Sequence, residues 1–432
     1  MSFLKKTFGT FGSQTAMVLF GLLNNALVAN LLGPEGQGNF AFYMLVPTML
    51  VMLGNLGINT ANVYYIGSKK YAQDLLAGQS ILMAVGLGLL LIPGFFILSP
   101  FFGVKQDPVL YKVIWTVPFG LLTLYMSNIF LGLNAIKFYN LSAILPKFYL
   151  LINLVLLILI LKTGIPGTAQ AFLAAEIMTA ITIISLYFIY FKKEKLVLSF
   201  KRPVIKDLLH FGIQSFIANV LTFLNSRLDM FLIVFFLDRK ELGFYTIAVL
   251  LVEKIWLIPH AIATVLLPHV TANNEQQLTP VVCRNSLFLT LLVALFVFVI
   301  SEWLIALIFI PEFLASVLPL RILLPGIVIL GIPKILSADL MGRGKPIYAA
   351  VTAIITIIAN VSLNWLLIPR LHIVGAALSA SISYTISAIL LVYFYQRISG
   401  FSVPQFLIIQ KSDWQIYKKF YHKLLKIKST GK

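Results

Sequence analysis

Leu150-Leu-Ile-Asn-Leu-Val-Leu-Leu-Ile-Leu-Ile-Leu161 is apolar at every position but Asn153. A membrane barrel is built from segments of about ten residues that alternate apolar and polar side chains. An unbroken apolar run does not fit that pattern and fits a helix wrapped in lipid. Outward from this stretch the same texture recurs. Twelve runs stand out, at about 11–32, 40–66, 79–102, 109–134, 141–161, 168–191, 208–237, 244–270, 282–309, 316–341, 347–368 and 374–396. A helix crosses a core of about 30 Å with about 20 such residues at 1.5 Å rise each. The sequence therefore predicts an all-α polytopic membrane protein.

Composition agrees. Of 432 residues, 59% are hydrophobic and 11% charged, with a mean hydropathy of +0.95. A soluble domain is nearer 45–50% apolar and about 25% charged. Soluble multidomain architecture and intrinsic disorder are thereby excluded. So are a disulfide scaffold, since Cys283 is the one cysteine, and a nucleic-acid module, despite a net charge of +18. Lys5 and Lys6 precede an apolar run, as in a signal peptide, but the run is too long and no small-residue cleavage site follows. It reads as a retained first span.

The loops account for the charge. Lysine and arginine accumulate on the cytoplasmic side of membrane proteins. With the N-terminus inside, 23 of the 33 fall on that face, including Lys69, Lys70, the loop Lys192–Lys206, Arg284, Arg343 and the tail; seven face the other way. Both termini are expected in the cytoplasm. The tail from Trp414 to Lys426 mixes apolar and basic residues, as an interfacial helix does, and a solvated basic tail is the equal alternative.

The two halves echo one another. Asn153 precedes Ile165-Pro-Gly-Thr-Ala169 as Asn360 precedes Ile373-Val-Gly-Ala-Ala377. Leu32-Gly-Pro-Glu-Gly-Gln-Gly-Asn-Phe40 aligns with Leu237-Asp-Arg-Lys-Glu-Leu-Gly-Phe-Tyr245. Gly132 to Tyr139 aligns loosely with Gly342 to Tyr348. Each match lies six spans from its mate, an even number, so the repeats run parallel. The expected organisation is two pseudo-repeated six-helix lobes around a central cavity. An N-terminal lobe (1–191) and a C-terminal lobe (208–397) are joined by a basic linker (192–207), with a tail at 398–432.

Charges at bilayer depth are costly and mark function or internal pairing. Helical rise places Asp229 about 12 Å and Arg227 about 15 Å from the outer end of span seven. Glu253 and Lys254 lie about 14–15 Å into span eight, and Lys334 about 13 Å from the inner end of span ten. These five carry a net positive charge. Arg227 and Asp229 diverge on their helix, so their partners belong on neighbouring spans, with Lys254 the favoured mate of Asp229. One reading makes Arg227, Lys254 and Lys334 a binding surface for an anionic substrate, with Asp229 and Glu253 serving ion coupling. The other makes the set a self-satisfied network. Glu176, about 12 Å into span six, is the deep charge of the first lobe and a third coupling candidate, or else a neutral hydrogen-bonding acid. Asn24, Asn25, Asn55, Asn59 and Asn62 add polar faces to spans one and two, which interhelical hydrogen bonding explains as readily as substrate contact. Asp339 and Lys147 sit near cytoplasmic ends, within snorkelling reach of water.

Several chemistries lack their residues. Gly33–Gly38 and Gly342–Pro346 do not complete a phosphate loop, so ATP hydrolysis is not expected. His260 and His269 lack partners at metal-ligand spacing and read as packing or interface residues. No Ser/His/Asp set is recognisable, and no outer loop is long enough for a glycan polymerase. Neither catalysis nor a cofactor is expected.

Leu32-Gly-Pro-Glu-Gly-Gln-Gly38, Leu56-Gly-Ile-Asn59, Asn62, Tyr64 and Tyr65, Arg227-Leu-Asp229-Met-Phe-Leu-Ile and Leu242-Gly-Phe-Tyr-Thr-Ile-Ala248 together resemble polysaccharide-export flippases. These are the O-antigen and capsule-unit members of the multidrug/oligosaccharidyl-lipid/polysaccharide exporter superfamily, and the likeness spans about residues 1–400. It implies a bacterial inner-membrane protein moving an undecaprenyl-pyrophosphate-linked oligosaccharide between leaflets. The anionic headgroup would meet Arg227, Lys254 and Lys334, and a polymerase and a chain-length regulator would work alongside. The competing reading within the superfamily is an H⁺- or Na⁺-coupled multidrug exporter. A non-transporting scaffold is the reading outside it.

Overall fold

The computed structural model describes residues 3–99, 107–191, 196–273 and 278–413. The expected interfacial helix of the tail lies outside them. Among the described residues every regular element is helical: α1 Phe3–Gly54, α2 Ile58–Gly67, α3 Gln73–Leu98, α4 Pro108–Val113, α5 Val117–Gly132, α6 Ile136–Leu154, α7 Ile165–Phe191, α8 Arg202–Phe236, α9 Arg239–Asn273, α10 Leu278–Ile308, α11 Val317–Gly342, α12 Ile347–Ser399 and α13 Val403–Leu407. The helical reading holds, and the protein is a multi-pass membrane protein.

Ten of these stretches, some pairing a short helix with the next, are long and apolar enough to span a bilayer. Two of the ten are hairpins. In α1, Gly33 adopts φ 67° and ψ −171°, and Pro34 follows. The Gln37 amide then donates to Asn25 Oδ1 at 2.8 Å. A continuous helix would hold residues twelve apart at about 18 Å, so the chain has turned back. In α12, His372 takes φ 54° and ψ −138°, and Gly375 packs so tightly on the Leu367 carbonyl that a Cβ would overlap it. Counting both arms of each hairpin gives the twelve spans.

Span two departs from the sequence reading. It is broken at Asn55–Gly57, where Gly57 has φ +74° and α2 restarts. Freed carbonyls inside a membrane need donors. The buried Tyr125 hydroxyl supplies them, donating to the Gly54 and Asn55 oxygens at 2.9 and 3.2 Å. The other asparagines bond between or along helices, as expected. Asn24 donates to the Lys147 carbonyl at 3.0 Å, Asn55 to Asn59 at 3.0 Å, and buried Asn62 to Ser80 at 2.8 Å.

Packing divides the chain into two compact units, Met1–Thr246 with Ile308–Phe313, and Ile247–Leu307 with Leu314–Lys432. Span seven thus belongs with the first six. Near its start Gly212 lies against Gly57, and Phe211 stacks on Tyr64 with centroids 4.2 Å apart. At its far end the two aligned motifs meet. A Cβ on Gly38 would overlap the Arg239 carbonyl, and one on its repeat mate Gly243 would overlap the carbonyl of Pro34, the mate of Arg239. Each member of the motif thus touches the counterpart of what touches it, as at a two-fold interface. Arg239 covers this junction, its guanidinium 3.6 Å over the Phe42 ring, beside Asp107, which also accepts from Tyr43 at 3.1 Å.

The second unit is built on α11 and the arm of α12 that follows His372. Ile335, Leu336, Leu391, Tyr395 and Phe406 form its buried centre. Asp339 corrects an expectation here. It does not snorkel but is fully buried, held by Arg343 at i+4 and by the Tyr395 hydroxyl at 2.6 Å. Burying a carboxylate is tolerable only with such partners.

Candidate functional site

In the first unit a cavity of about 340 Å³ opens beside Glu176. Its walls come from α1 (Thr48, Val51), α5 (Gly120, Thr123, Asn128), α6 (Tyr139, Ser142) and α7 (Phe172). Gly120 makes room for Val51 and lies in ordinary contact range of the acid. A Cβ there would stand 2.8 Å from Val51 Cγ2 and 3.9 Å from Glu176 Oε2. Several polar groups of the lining share one orientation. Thr48, Ser127 and Ser142 donate to the carbonyls of Met44, Leu124 and Phe138 at 2.6, 3.0 and 2.8 Å, and the Asn128 amide donates to the Leu124 carbonyl at 2.8 Å. The three hydroxyl hydrogens are thus committed to their own helices and leave lone pairs on the wall, while the second Asn128 amide hydrogen and the Thr123 hydroxyl, which has no hydrogen-bond partner among the described residues, remain as donors. Pro146 adds another acceptor, because a helical proline leaves the carbonyl four residues earlier, that of Ser142, without its helix donor. A carboxylate beside hydroxyl lone pairs suits a proton or a small cation.

Asp229 and Arg227 lie on α8, away from that lining. Asp229 is buried and accepts from the Tyr245 hydroxyl on α9 and from the Met230 amide at 2.9 Å. A partner on the neighbouring span was expected, and Tyr245 is one. An Asp229–Lys254 pair stays an expectation. Arg227 is half-buried and donates to the Ser226 carbonyl at 3.4 Å.

In the second unit Glu253 and Lys254 are half-buried on α9. One turn further on, Trp256 faces Lys334 of α11, whose ammonium lies 5.3 Å from the ring centroid. His260 is exposed, its ring 5.2 Å from that of Trp256. Gly331, one turn before Lys334, sits against Pro259, which brings the two helices close. Among the described residues no carboxylate lies within ion-pair distance of Lys334. A ring face returns about 0.5–2 kcal/mol to a cation, less than burial removes from it. Lys334 is therefore a half-buried positive charge that its described neighbours do not neutralise.

Sequence reading missed three arrangements. Tyr245 as the mate of Asp229 carries no formal charge to flag it. The Arg343–Asp339 pair was visible in its i,i+4 spacing. Arg284, counted among loop cations, is instead buried on α10. It makes a bidentate pair with Asp413 at 2.6 and 2.7 Å and donates to the Gln405 carbonyl at 2.7 Å. Nothing local in the sequence links residues so far apart.

A family model described as polysaccharide biosynthesis protein matches residues 3–274. The chain belongs to this family. That membership agrees with the motifs first read at Leu32–Gly38 and Leu242–Ala248. A curated relative, the probable low-salt glycan biosynthesis flippase Agl15 of Haloferax volcanii, is 27% identical over 206 residues, covering 45% of this chain. The match spans 44% of that relative's length. Among solved structures, the lipid II flippase MurJ in an inward closed conformation aligns with a TM-score of 0.76 at 17% identity, over 93% of this chain and 89% of that one. An inward-facing multidrug resistance transporter of the MATE family aligns with a TM-score of 0.72 at 17% identity, over 89% and 94%. At such identities the likeness is one of fold. The family member described here therefore has the twelve-helix, two-lobe fold that its sequence predicts.

Proposed function

We propose that the protein is a flippase, not an enzyme. It carries a lipid-linked oligosaccharide, anchored on undecaprenyl pyrophosphate, from the inner to the outer leaflet for cell-surface polysaccharide synthesis. The observation that carries this reading is Lys334, an ammonium within the membrane that rests on an indole face without a described carboxylate mate. Such a charge is balanced when a pyrophosphate arrives, and an indole face also suits the apolar face of a sugar ring. Arg227 and Lys254 supply further positive charge to the headgroup. The polyprenyl tail stays in lipid while the two lobes rock to expose the glycan alternately to each side. Glu176 couples the cycle to a proton or a small cation, with Asp229 and Glu253 as further coupling groups. Loading takes place at the cytoplasmic membrane, on the face that holds both termini. A polymerase and a chain-length regulator receive the product.

The test is leaflet transfer of a pyrophosphate-linked isoprenoid glycan in proteoliposomes, comparing wild type with Arg227→Ala, Lys254→Ala and Lys334→Ala. Transfer by wild type that is lost in the variants at equal folded amount supports the reading. Efflux of organic cations with no glycan transfer replaces it with the drug-exporter reading. Variants that lower only protein abundance assign the charges to the scaffold.

A further inference from the structure

Span seven begins on α8, which has two unlike faces before it enters the membrane. Val204, Leu208 and Gly212 are buried, and the same side carries Phe211 onto Tyr64 and Gly212 onto Gly57. The opposite side bears Arg202, Lys206, His210, Ile213 and Ile217, all exposed. Their spacing of four, four, three and four keeps them within an arc of about 80° on a helix of 3.6 residues per turn. The order along that stripe is chemical. Three basic residues occupy the first about 12 Å, and two isoleucines continue it for about 10 Å towards the bilayer. Arg202, Lys206, His210 and Ile213 line a shallow cavity of about 670 Å³, which Phe200 closes from the linker side.

The one acid in this turn is engaged elsewhere. Asp207 accepts from Lys70 Nζ at 2.6 Å and from the Tyr71 hydroxyl at 2.6 Å in a half-exposed cluster beside the stripe, and its charge also reaches His210. Among the described residues no carboxylate pairs with Arg202 or Lys206. α8 also starts with no side-chain cap and with Pro203 in its first turn, so its first backbone N–H groups add to the positive end. Cations in a row, followed by exposed hydrocarbon on the same stripe, match the shape of a lipid whose phosphate head lies at the interface and whose chain runs along the helix.

We propose that Arg202, Lys206 and His210 bind the phosphate headgroup of a polyprenyl pyrophosphate at the cytoplasmic membrane surface, with its chain against Ile213 and Ile217. This is a loading site outside the intramembrane charges. It rests on the flippase reading for its role, but not for its existence. A polyprenyl pyrophosphate carries more negative charge than a common phospholipid, which distinguishes the two sources of a lipid phosphate here. Basic residues near a membrane surface contribute about 1 kcal/mol each towards anionic lipid.

The experiment uses the full chain in nanodiscs of zwitterionic lipid, with undecaprenyl pyrophosphate lacking any glycan as the probe. Wild type is compared with Arg202→Gln/Lys206→Gln/His210→Gln, and phosphatidylglycerol and inorganic pyrophosphate serve as competitors. The triple variant is expected to bind about 30-fold more weakly, taking the two permanent cations alone. The competitors are expected to displace the probe only in large excess. Equal binding by wild type and variant overturns the site. Displacement by phosphatidylglycerol at equal mole fraction makes the stripe an ordinary lipid contact, and displacement by inorganic pyrophosphate at the probe's own concentration makes it a soluble-anion site; either result also overturns it. Glycan transfer by the same proteins separates the two readings. Wild-type transfer that the triple variant matches removes the loading role and leaves the flippase. Weakened probe binding without any wild-type transfer keeps the site and removes the flippase.

Discussion

Two cations of the second unit face the same physical problem and meet it differently. Arg284 on α10 is nearly sealed from solvent, and all its described hydrogen bonds go to acceptors that hold it in place, two carboxylate oxygens and a carbonyl. Lys334 on α11 is half-buried and has the face of Trp256. Removing an ion from water costs several kcal/mol, and only excellent pairing offsets it. The arginine is balanced within the chain and therefore reads as a fastening. It ties α13, through Gln405, and the segment after it, through Asp413, to the start of α10. The lysine is left with an unmet need, which an arriving anion satisfies.

The largest effect belongs to the balanced pair. Asp413→Ala strands a buried guanidinium, for which the usual cost is about 3–5 kcal/mol. Thermal unfolding in detergent should move down accordingly, while transfer per folded molecule stays at the wild-type level. Arg284→Met combined with Asp413→Leu removes both charges and should recover most of that loss. A double variant no more stable than Asp413→Ala would show that the pair is not self-contained.

Lys334→Met should invert this pattern. Taking away a desolvated charge without a described carboxylate mate leaves the unfolding temperature unchanged or higher. Transfer of the pyrophosphate-linked glycan, by contrast, falls about 10–150-fold, the equivalent of one charged hydrogen bond of about 1.5–3 kcal/mol. If the variant instead unfolds as early as Asp413→Ala, Lys334 is a fastening too and the contrast between the two cations collapses.

The sequence separated these two cations only in part. Lys334 was visible as a charge inside an apolar run, and helical rise alone gave its depth. Glu176 was visible for the same reason. Arg284 sat close enough to a span end to pass for a loop cation, because its partner Asp413 lies 129 residues away in a stretch without periodic signal. Asp339 passed for a snorkelling acid because Tyr395, which holds it, carries no formal charge. The fold was more legible, since lipid leaves a chain few options. Runs twice the bilayer's thickness had to turn back, and Gly33-Pro34 marks one such point. The break at Asn55–Gly57 was hidden because Tyr125, on another helix, is what makes it affordable. The repeat motifs announced a symmetry. That Gly38 and Gly243 would also pack on one another's segments required the coordinates.

A smaller effect is expected at Glu176, the counterpart of Lys334 in the first unit. Its cavity sets an acid beside hydroxyl lone pairs, an arrangement that suits a cation or a proton. Glu176→Gln keeps the shape and adds a donor. It should leave the affinity for the glycan lipid near the wild-type value while removing the acceleration of transfer by an imposed proton or sodium gradient, a coupling of about fivefold or more. Loss of affinity with the gradient response intact would move Glu176 from coupling to substrate contact.

The smallest expected effect concerns pH at the fastening. Hydrogen bonding from Arg284 holds the Asp413 carboxyl below the usual carboxylate range. A depressed folded value means that the unfolded chain takes up the proton first as the solution is acidified. The stabilisation is therefore fully present above the unfolded value of about 3.9 and declines only as pH falls from there through the lower folded value. Between pH 8 and about 5, the unfolding temperature of wild type should differ from that of the charge-free double variant by a constant amount, with the gap closing only in stronger acid. A gap that narrows already between pH 8 and 6 would mean that another titrating group shares this junction, and the pair would lose its standing as the balanced member of the comparison.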